Sequence, residues 1–315
     1  MDTLTNVRIG WADLPPRVRA GVEGILGDRV VSAVSQPGGF SPGTADRVVT
    51  AGGSRAFVKA VSPAQNERSV LLCRREARIA AGMPPHAPAP RLLGCYDDGD
   101  WVALVLTDVA GRHPATPWRA DELDRVLAAL GRMAGALTPV PVPHVPTAAE
   151  HLRYDFLGWR RLADDPPAGL DPWLRGHLGR LCAAAERGYA ALTGDTLCHA
   201  DIRADNLLLG ADGSVTVVDW PWACRGPAWL DTVLLLVNVE FHGGHDTEAL
   251  LRRTPLTADV DPDVVTGVLA GIAGFFLDGS RQPPPPGIPT VRAFQRAQAD
   301  AVLPWVTRRL ALDRP

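Results

Sequence analysis

The stretch that most constrains this chain is residues 197–220, LCHADIRADNLLLGADGSVTVVDW. It holds two short apolar runs, Leu207–Leu209 and Val215–Val218, separated by Gly210-Ala211-Asp212-Gly213. Short apolar runs around an Asp-Gly pair predict a β-hairpin, because glycine tolerates the backbone that a tight turn demands. Such a hairpin carries Asn206, just before its first strand, to the same end as Asp219, just after its second. Asp201 precedes Asn206 by five residues and falls beside them. Two carboxylates and an amide oxygen then converge. Hard oxygen ligands of this kind suit Mg²⁺, which takes few protein oxygens and completes its shell with water and phosphate.

The order His199-x-Asp201-x-x-x-x-Asn206, followed by an apolar strand ending in Asp219, is the pattern of the protein-kinase-like phosphotransferases. Asp219 is followed by Trp220-Pro221, so the Asp-Phe-Gly of protein kinases is absent, and no Ala-Pro-Glu follows. In this the chain resembles the aminoglycoside phosphotransferase and choline kinase-like family of that superfamily. Family members often carry glycine where this chain has Ala200. The resemblance implies an α+β, two-lobed protein-kinase-like fold, with a small N-terminal antiparallel β-sheet lobe and a larger, mostly helical C-terminal lobe. On that layout residues 1–108 form the nucleotide-binding lobe, a hinge lies at about 106–111, and residues 112–315 hold the catalytic loop and acceptor pocket.

The chain upstream fits a nucleotide-binding lobe. Pro16 onward reads as a covering helix ending at Gly27. Strand candidates Val30–Ser35 and Arg47–Ala51 flank Gln36-Pro37-Gly38-Gly39-Phe40-Ser41-Pro42-Gly43. Such a turn is commonly just a turn, but a glycine-rich one between strands can also offer bare N–H groups to phosphates. Gly38, Gly39 and Ser41 are its candidate donors. The strand Ala56–Val61 carries Lys59, the only lysine in the chain. Apolar flanks bury it, and a buried ammonium needs an anionic partner. The family counterpart grips the α and β phosphates. A helix over 66–81 contains Arg75-Glu76-Ala77, similar to the family's R-E-A. Glu76 is the expected partner of Lys59, with Glu67 as the alternative. Strands over 91–96 and 101–107 lead to Thr107, Asp108 and Val109, whose backbone the resemblance assigns to the adenine edge.

Helical periodicity follows over 121–137, 147–164 and 174–192, the last running straight into the catalytic loop. Residues 221–227 read as a loop. Asp231 opens an apolar helix; it is either an ordinary helix-start acid or, by resemblance, the aspartate that supports the catalytic loop from below. Residues 246–253, 259–280 and 290–312 read as further helices, with an exposed rigid loop over 281–289. Glu240, His242, His245 and Asp246 fall where an acceptor could meet them.

By resemblance, Asp201 orients an acceptor hydroxyl and takes its proton, and Arg203 neutralises charge on the transferring group. His199 supports the loop and is not the base, while Asn206 and Asp219 hold Mg²⁺. The substrates implied are ATP or GTP and a hydroxylated small molecule, an aminoglycoside or another antibiotic or natural product. A choline, sugar or amino alcohol kinase is the alternative. A nucleotide-binding pseudokinase is a third reading, against which the intact Lys59, Asp201, Asn206 and Asp219 argue. A net charge of −3 advertises neither nucleic acid nor an anionic membrane as partner. No apolar run of about 18 residues is evident, no secretory signal is visible, and five scattered cysteines read as reduced thiols. The expectation is a cytoplasmic monomer or homodimer.

Overall fold

The computed structural model describes residues 8–312 except 38, 40 and 41. Gly38 and Ser41 therefore lie outside the described residues. The chain opens with helix α1 (Pro16–Leu26), which starts on a proline and stops at Gly27, whose φ of +72° an L side chain would resist. Strands β1 (Val30–Ser35), β2 (Thr44–Thr50) and β3 (Arg55–Val61) follow, then helix α2 (Glu67–Gly82) and strands β4 (Leu92–Asp97) and β5 (Val102–Thr107). The five strands form one antiparallel sheet in the order β1-β2-β3-β5-β4.

Period-two alternation sorts the side chains of this sheet onto two faces. Val48, Ala56, Val58, Ala60, Ala103 and Val105 meet Leu14, Val18 and Val22 from α1 and its approach. Val18 and Val22 are fully buried, which contributes about 1.5–3 kcal/mol each relative to exposure. On the other face Val61, Val102, Leu104 and Leu106 meet Val70, Cys73 and Ala77 of α2. Lys59 pairs with Leu104 in register and so points to the α2 face. Strand β2 begins three residues earlier than expected. Its first residues, Thr44-Ala45-Asp46, carry no alternating apolar signal, yet all three are buried.

The remainder is helical around one large core. It comprises α3 (Ala120–Ala136), α4 (Ala148–Phe156), α5 (Gly158–Asp164) and α6 (Pro172–Ala190), then β6 (Thr196–Cys198), β7 (Leu207–Leu209), β8 (Val215–Val217) and β9 (Cys224–Gly226). Helices α7 (Leu230–His242), α8 (Thr247–Arg253), α9 (Pro255–Ala258), α10 (Pro262–Ser280) and α11 (Val291–Arg309) complete it. The helix expected over 147–164 breaks at Leu157. The loop expected over 221–227 contains β9, which pairs with β6 just ahead of the loop over 199–206.

Helix α10 corrects one expectation. By length and composition it is apolar enough to cross a membrane, but 78% of that window is buried. It packs against α4, α5, α6, α7 and α11, so its apolar surface fills the protein's own interior. Glycines let it approach closely: a β-carbon on Gly188 of α6 would fall 2.2 Å from the backbone of Gly267.

Candidate active site

Strands β7 and β8 form the hairpin, with Leu207 opposite Val217 and Leu209 opposite Val215. Gly213 takes φ +85° in its turn. The ladder continues one step beyond, where the Val218 N–H donates to the Asn206 carbonyl at 2.9 Å. Asn206 and Asp219 therefore leave the hairpin side by side. The Asn206 amide nitrogen donates to the Asp201 carbonyl at 2.8 Å and to its carboxylate at 3.1 Å. With its N–H groups committed, Asn206 presents Oδ1 as an acceptor.

The loop before the hairpin is held from beneath. Asp231 is buried at the start of α7 and accepts the His199 N–H at 2.7 Å and the Ala200 N–H at 2.9 Å. Burial pushes its carboxyl up, and these two N–H groups pull it part of the way back. His199 is wholly buried. Its Nδ1 accepts the Asp201 N–H at 3.2 Å and its Nε2 lies 2.9 Å from the Val218 carbonyl. That pairing assigns the proton to Nε2. Burial lowers the His199 pKa, so the ring is neutral and both nitrogens are spent on the loop. Ala200 takes φ +63°, a left-handed conformation that favours glycine.

A charge cluster closes the site from the sheet side. Lys59 Nζ lies 2.9 Å from both carboxylate oxygens of Glu76 and 2.6 Å from Asp219 Oδ1. Glu76, and not Glu67, is its partner. Burial works against the Lys59 charge, but Asp219 and Glu76 outweigh it and its pKa is raised. One cation cannot fully satisfy two carboxylates. Glu76, with a side chain 5% exposed, carries the cost and is pushed up by burial, whereas Asp219, 41% exposed, stays below the usual range despite desolvation because Lys59 holds it.

Burial also pushes the Asp201 carboxyl up to about 6, against the pull of Arg203. The Arg203 guanidinium binds Asp205 through two nitrogens, at 3.0 and 2.7 Å, and stands 3.5 Å from Asp201. Asp205, which no sequence reading singled out, thus fixes Arg203; an Arg-x-Asp pair in a loop was the available signal. Asn238 was missed as well. It is buried in α7 and accepts the Ala204 N–H at 3.2 Å and the Trp118 indole N–H at 3.3 Å. Nothing local in an apolar helix marks it.

At the other end, Thr107 closes β5, and Asp108 is clamped by Arg47 at 2.7 Å and Arg55 at 2.8 Å. The Val109 carbonyl also accepts from Arg47, at 3.4 Å. Gly39 turns with φ +74° at the mouth between β1 and β2. Beyond Asp201, Arg203 lies over Phe294, whose ring meets Phe241 edge-on with centroids 5.5 Å apart. Trp222 lies 5.7 Å from the His151 ring, and Arg68 stands over it at 5.2 Å. Of the four acceptor-side residues expected, three serve the fold. Glu240 accepts from Thr247 at 2.7 Å, His245 lies 2.8 Å from the Trp118 carbonyl, and Asp246 caps α8. His242 stands beside Phe241.

The model of the phosphotransferase enzyme family (APH) matches residues 37–263. Among curated proteins none matches the chain significantly. Among solved structures, a choline/ethanolamine kinase family protein from Mesorhizobium loti aligns with a TM-score of 0.61 at 18% identity, covering 94% of this chain and 97% of its own. The aminoglycoside phosphotransferase from Alicyclobacillus acidocaldarius subsp. acidocaldarius DSM 446 aligns at 0.54 and 16% identity, covering 95% and 97%. A thermostable mutant of the aminoglycoside phosphotransferase APH(4)-Ia, in ternary complex with AMP-PNP and hygromycin B, aligns at 0.61 and 15% identity, covering 93% and 99%. At these identities the likeness establishes the shared kinase-like fold, and the family match spans most of the chain. The chain belongs to the phosphotransferase enzyme family, whose kind includes the aminoglycoside phosphotransferases and choline kinases.

Proposed function

We propose that the protein moves the γ-phosphoryl group of ATP or GTP to a hydroxyl of a small molecule, with an aminoglycoside or another antibiotic or natural product as the acceptor class. The observation that carries this reading is the convergence of Lys59, Asp219, Asn206 and Asp201 at one end of the hairpin. Residues up to about 108 serve as the nucleotide lobe and 106–111 as the hinge. The nucleotide's adenine edge meets the backbone of Thr107 to Val109. Gly39 belongs to the turn over the phosphates, and Lys59, fixed by Glu76, holds the α and β phosphates.

A divalent ion fits the oxygens present. Among the described residues no group of three or more His, Cys, Asp or Glu has metal-holding geometry. Asn206 Oδ1 and Asp219 would supply the two hard oxygens that Mg²⁺ needs beside water and phosphate. When bound, the ion neutralises phosphate charge. Asp201 is ionised at neutral pH, since burial raises it only to about 6. It orients the acceptor hydroxyl and takes its proton as the O–P bond forms. Arg203, held by Asp205, faces the negative charge that develops on the transferring group. Most of the rate comes from positioning and fixed charge. His199 holds the loop and Asp231 supports it.

The APH(4)-Ia complex, which holds AMP-PNP and hygromycin B together, supports a nucleotide plus a small acceptor. The choline/ethanolamine kinase neighbour keeps a metabolite acceptor in view. The test is nucleotide consumption by the purified protein with Mg²⁺ across aminoglycosides, other hydroxylated antibiotics, nucleosides, choline and sugars. Acceptor-dependent ADP or GDP release is expected. Nucleotide binding with no turnover on any acceptor would favour a pseudokinase.

A further inference from the structure

The loop between α10 and α11, residues 281–289, is rooted in the helical portion and reaches across to the sheet portion. Arg281 fixes its first root, donating to the Asp278 carboxylate at 2.9 Å and to the Asp165 carbonyl at 3.0 Å. Arg292 fixes the second, its guanidinium donating twice to the Pro283 carbonyl, at 3.0 and 2.9 Å. Between these roots the tip meets the start of α2. There the buried Asn66 donates its amide N–H to the Pro286 carbonyl at 2.9 Å, while its amide oxygen caps α2 by accepting the Ser69 N–H, also at 2.9 Å. Gly287, at φ +74°, lies against Pro42 of the glycine-rich turn, where an added β-carbon would come within 2.8 Å of the proline's own. Past the tip, α11 brings the Phe294 ring to 5.6 Å from the Arg203 guanidinium, which stands 3.5 Å from Asp201. The strap and the start of α11 therefore run from the glycine-rich turn to the loop that carries Asp201, across the gap between the two portions.

We propose that residues 281–289 are a gate over the acceptor entrance, latched by Asn66, so that bulky molecules reach Asp201 only when the latch opens. Four successive prolines, Pro283–Pro286, stiffen the strap. They also strip it of donors, because proline has no N–H. The strap can therefore only accept at these positions, and Asn66 supplies the donor. One neutral hydrogen bond shifts a closed-to-open ratio by about two- to tenfold. That holds the gate yet lets it open in each turnover, and a stiff strap on two arginine roots swings as a unit. Calling the space behind it an acceptor entrance rests on the phosphotransferase reading; the gate itself does not.

The test follows access to position 201 in the full-length chain. D201C places a thiol there, and its modification is compared with and without N66D. The small reagent is methyl methanethiosulfonate and the bulky one a fluorescein maleimide, with peptide mass spectrometry locating the label. N66D keeps the cap, since aspartate caps a helix as well as asparagine, but has no N–H to give Pro286. N66S does the same with a shorter side chain and serves if N66D folds poorly. Removing the latch should speed bulky labelling at position 201 by about two- to tenfold. The Asp201 side chain is 27% exposed, so the small reagent passes the closed gate and its rate should hold, as should labelling of the exposed Cys95. Unchanged bulky labelling in folded N66D or N66S would overturn the proposal. Equal acceleration of both reagents would overturn it too, because the strap would then be a general brace. The labelling needs neither nucleotide nor acceptor. A wild type that binds no nucleotide would overturn the phosphotransferase reading, and the gate would stand or fall on the labelling alone.

Discussion

Replacing Asp231 with asparagine tests how the loop that carries Asp201 is held. The carboxylate is 5% exposed and accepts two backbone N–H groups, from His199 at 2.7 Å and Ala200 at 2.9 Å. Asparagine keeps the shape but offers one oxygen, and turns its amide N–H₂ toward the second donor. A hydrogen bond to a charged group contributes about 1.5–3 kcal/mol, and a buried donor without an acceptor costs about 1–3 kcal/mol. These costs overlap, so D231N should lose about 2–4 kcal/mol of unfolding free energy. Alanine strands both N–H groups and should lose about 3–5 kcal/mol. Against a total of about 5–15 kcal/mol, both variants still fold but with less margin. Urea unfolding followed by far-UV circular dichroism measures the loss, with an unchanged m-value showing that the same surface unfolds. Turnover should fall with it, because Asp231 supports the backbone that carries Asp201. A D231N protein within about 0.5 kcal/mol of wild type, with unchanged turnover, would refute the reasoning.

Three further expectations concern strain, packing and titration. Ala200 sits at φ +63°, so A200G should gain up to about 1 kcal/mol, relief of left-handed strain being partly offset by a freer unfolded chain; calorimetric Tm checks it. G188A drives a methyl to within 2.2 Å of the Gly267 backbone and should lower stability by about 1–3 kcal/mol or more as α6 and α10 are pushed apart, again read as Tm. The Asp201 carboxyl is raised by burial from 3.8 to about 6, so the folded state binds its proton more tightly. Its contribution to stability therefore falls as pH rises through that window and stays lost above it. D201N should consequently be more stable than wild type at pH 8, by about 1–3 kcal/mol, with the gain shrinking toward pH 4; urea midpoints at both pH values check this.

What the sequence disclosed follows from how local its signals are. The β7–β8 hairpin was legible because an Asp-Gly turn between apolar runs has few other uses, and it alone brought Asn206 and Asp219 together. Glu76 was legible as the partner of Lys59 only through the resemblance of Arg75-Glu76-Ala77 to the family's R-E-A, since Glu67 lies on the same helix. The β6–β9 ribbon was not, because three-residue strands are too short to show a period. The early start of β2 was hidden by Asp46, a fully buried acid that receives a hydrogen bond from Ser35 and looks like a surface residue in sequence. Asn238 acts across a long separation, on Ala204, and no nearby pattern announces it. Glu240, His245 and Asp246 each hydrogen-bond within the fold, tying α7 and α8 to their neighbours, and no local pattern announced those partners. The apolar length of α10 shows only in the assembled core it fills.

The most direct test of the central claim is phosphoryl transfer by Asp201→Ala beside wild type. Both are assayed full-length with Mg·ATP and the acceptor found in the panel, and Mg·ATP affinity is measured in parallel. Loss of a positioned base should lower kcat by about 10²–10⁴-fold while nucleotide affinity stays within about threefold. Turnover near wild type in Asp201→Ala would contradict the account, because the site would then transfer phosphate without the group on which its geometry converges.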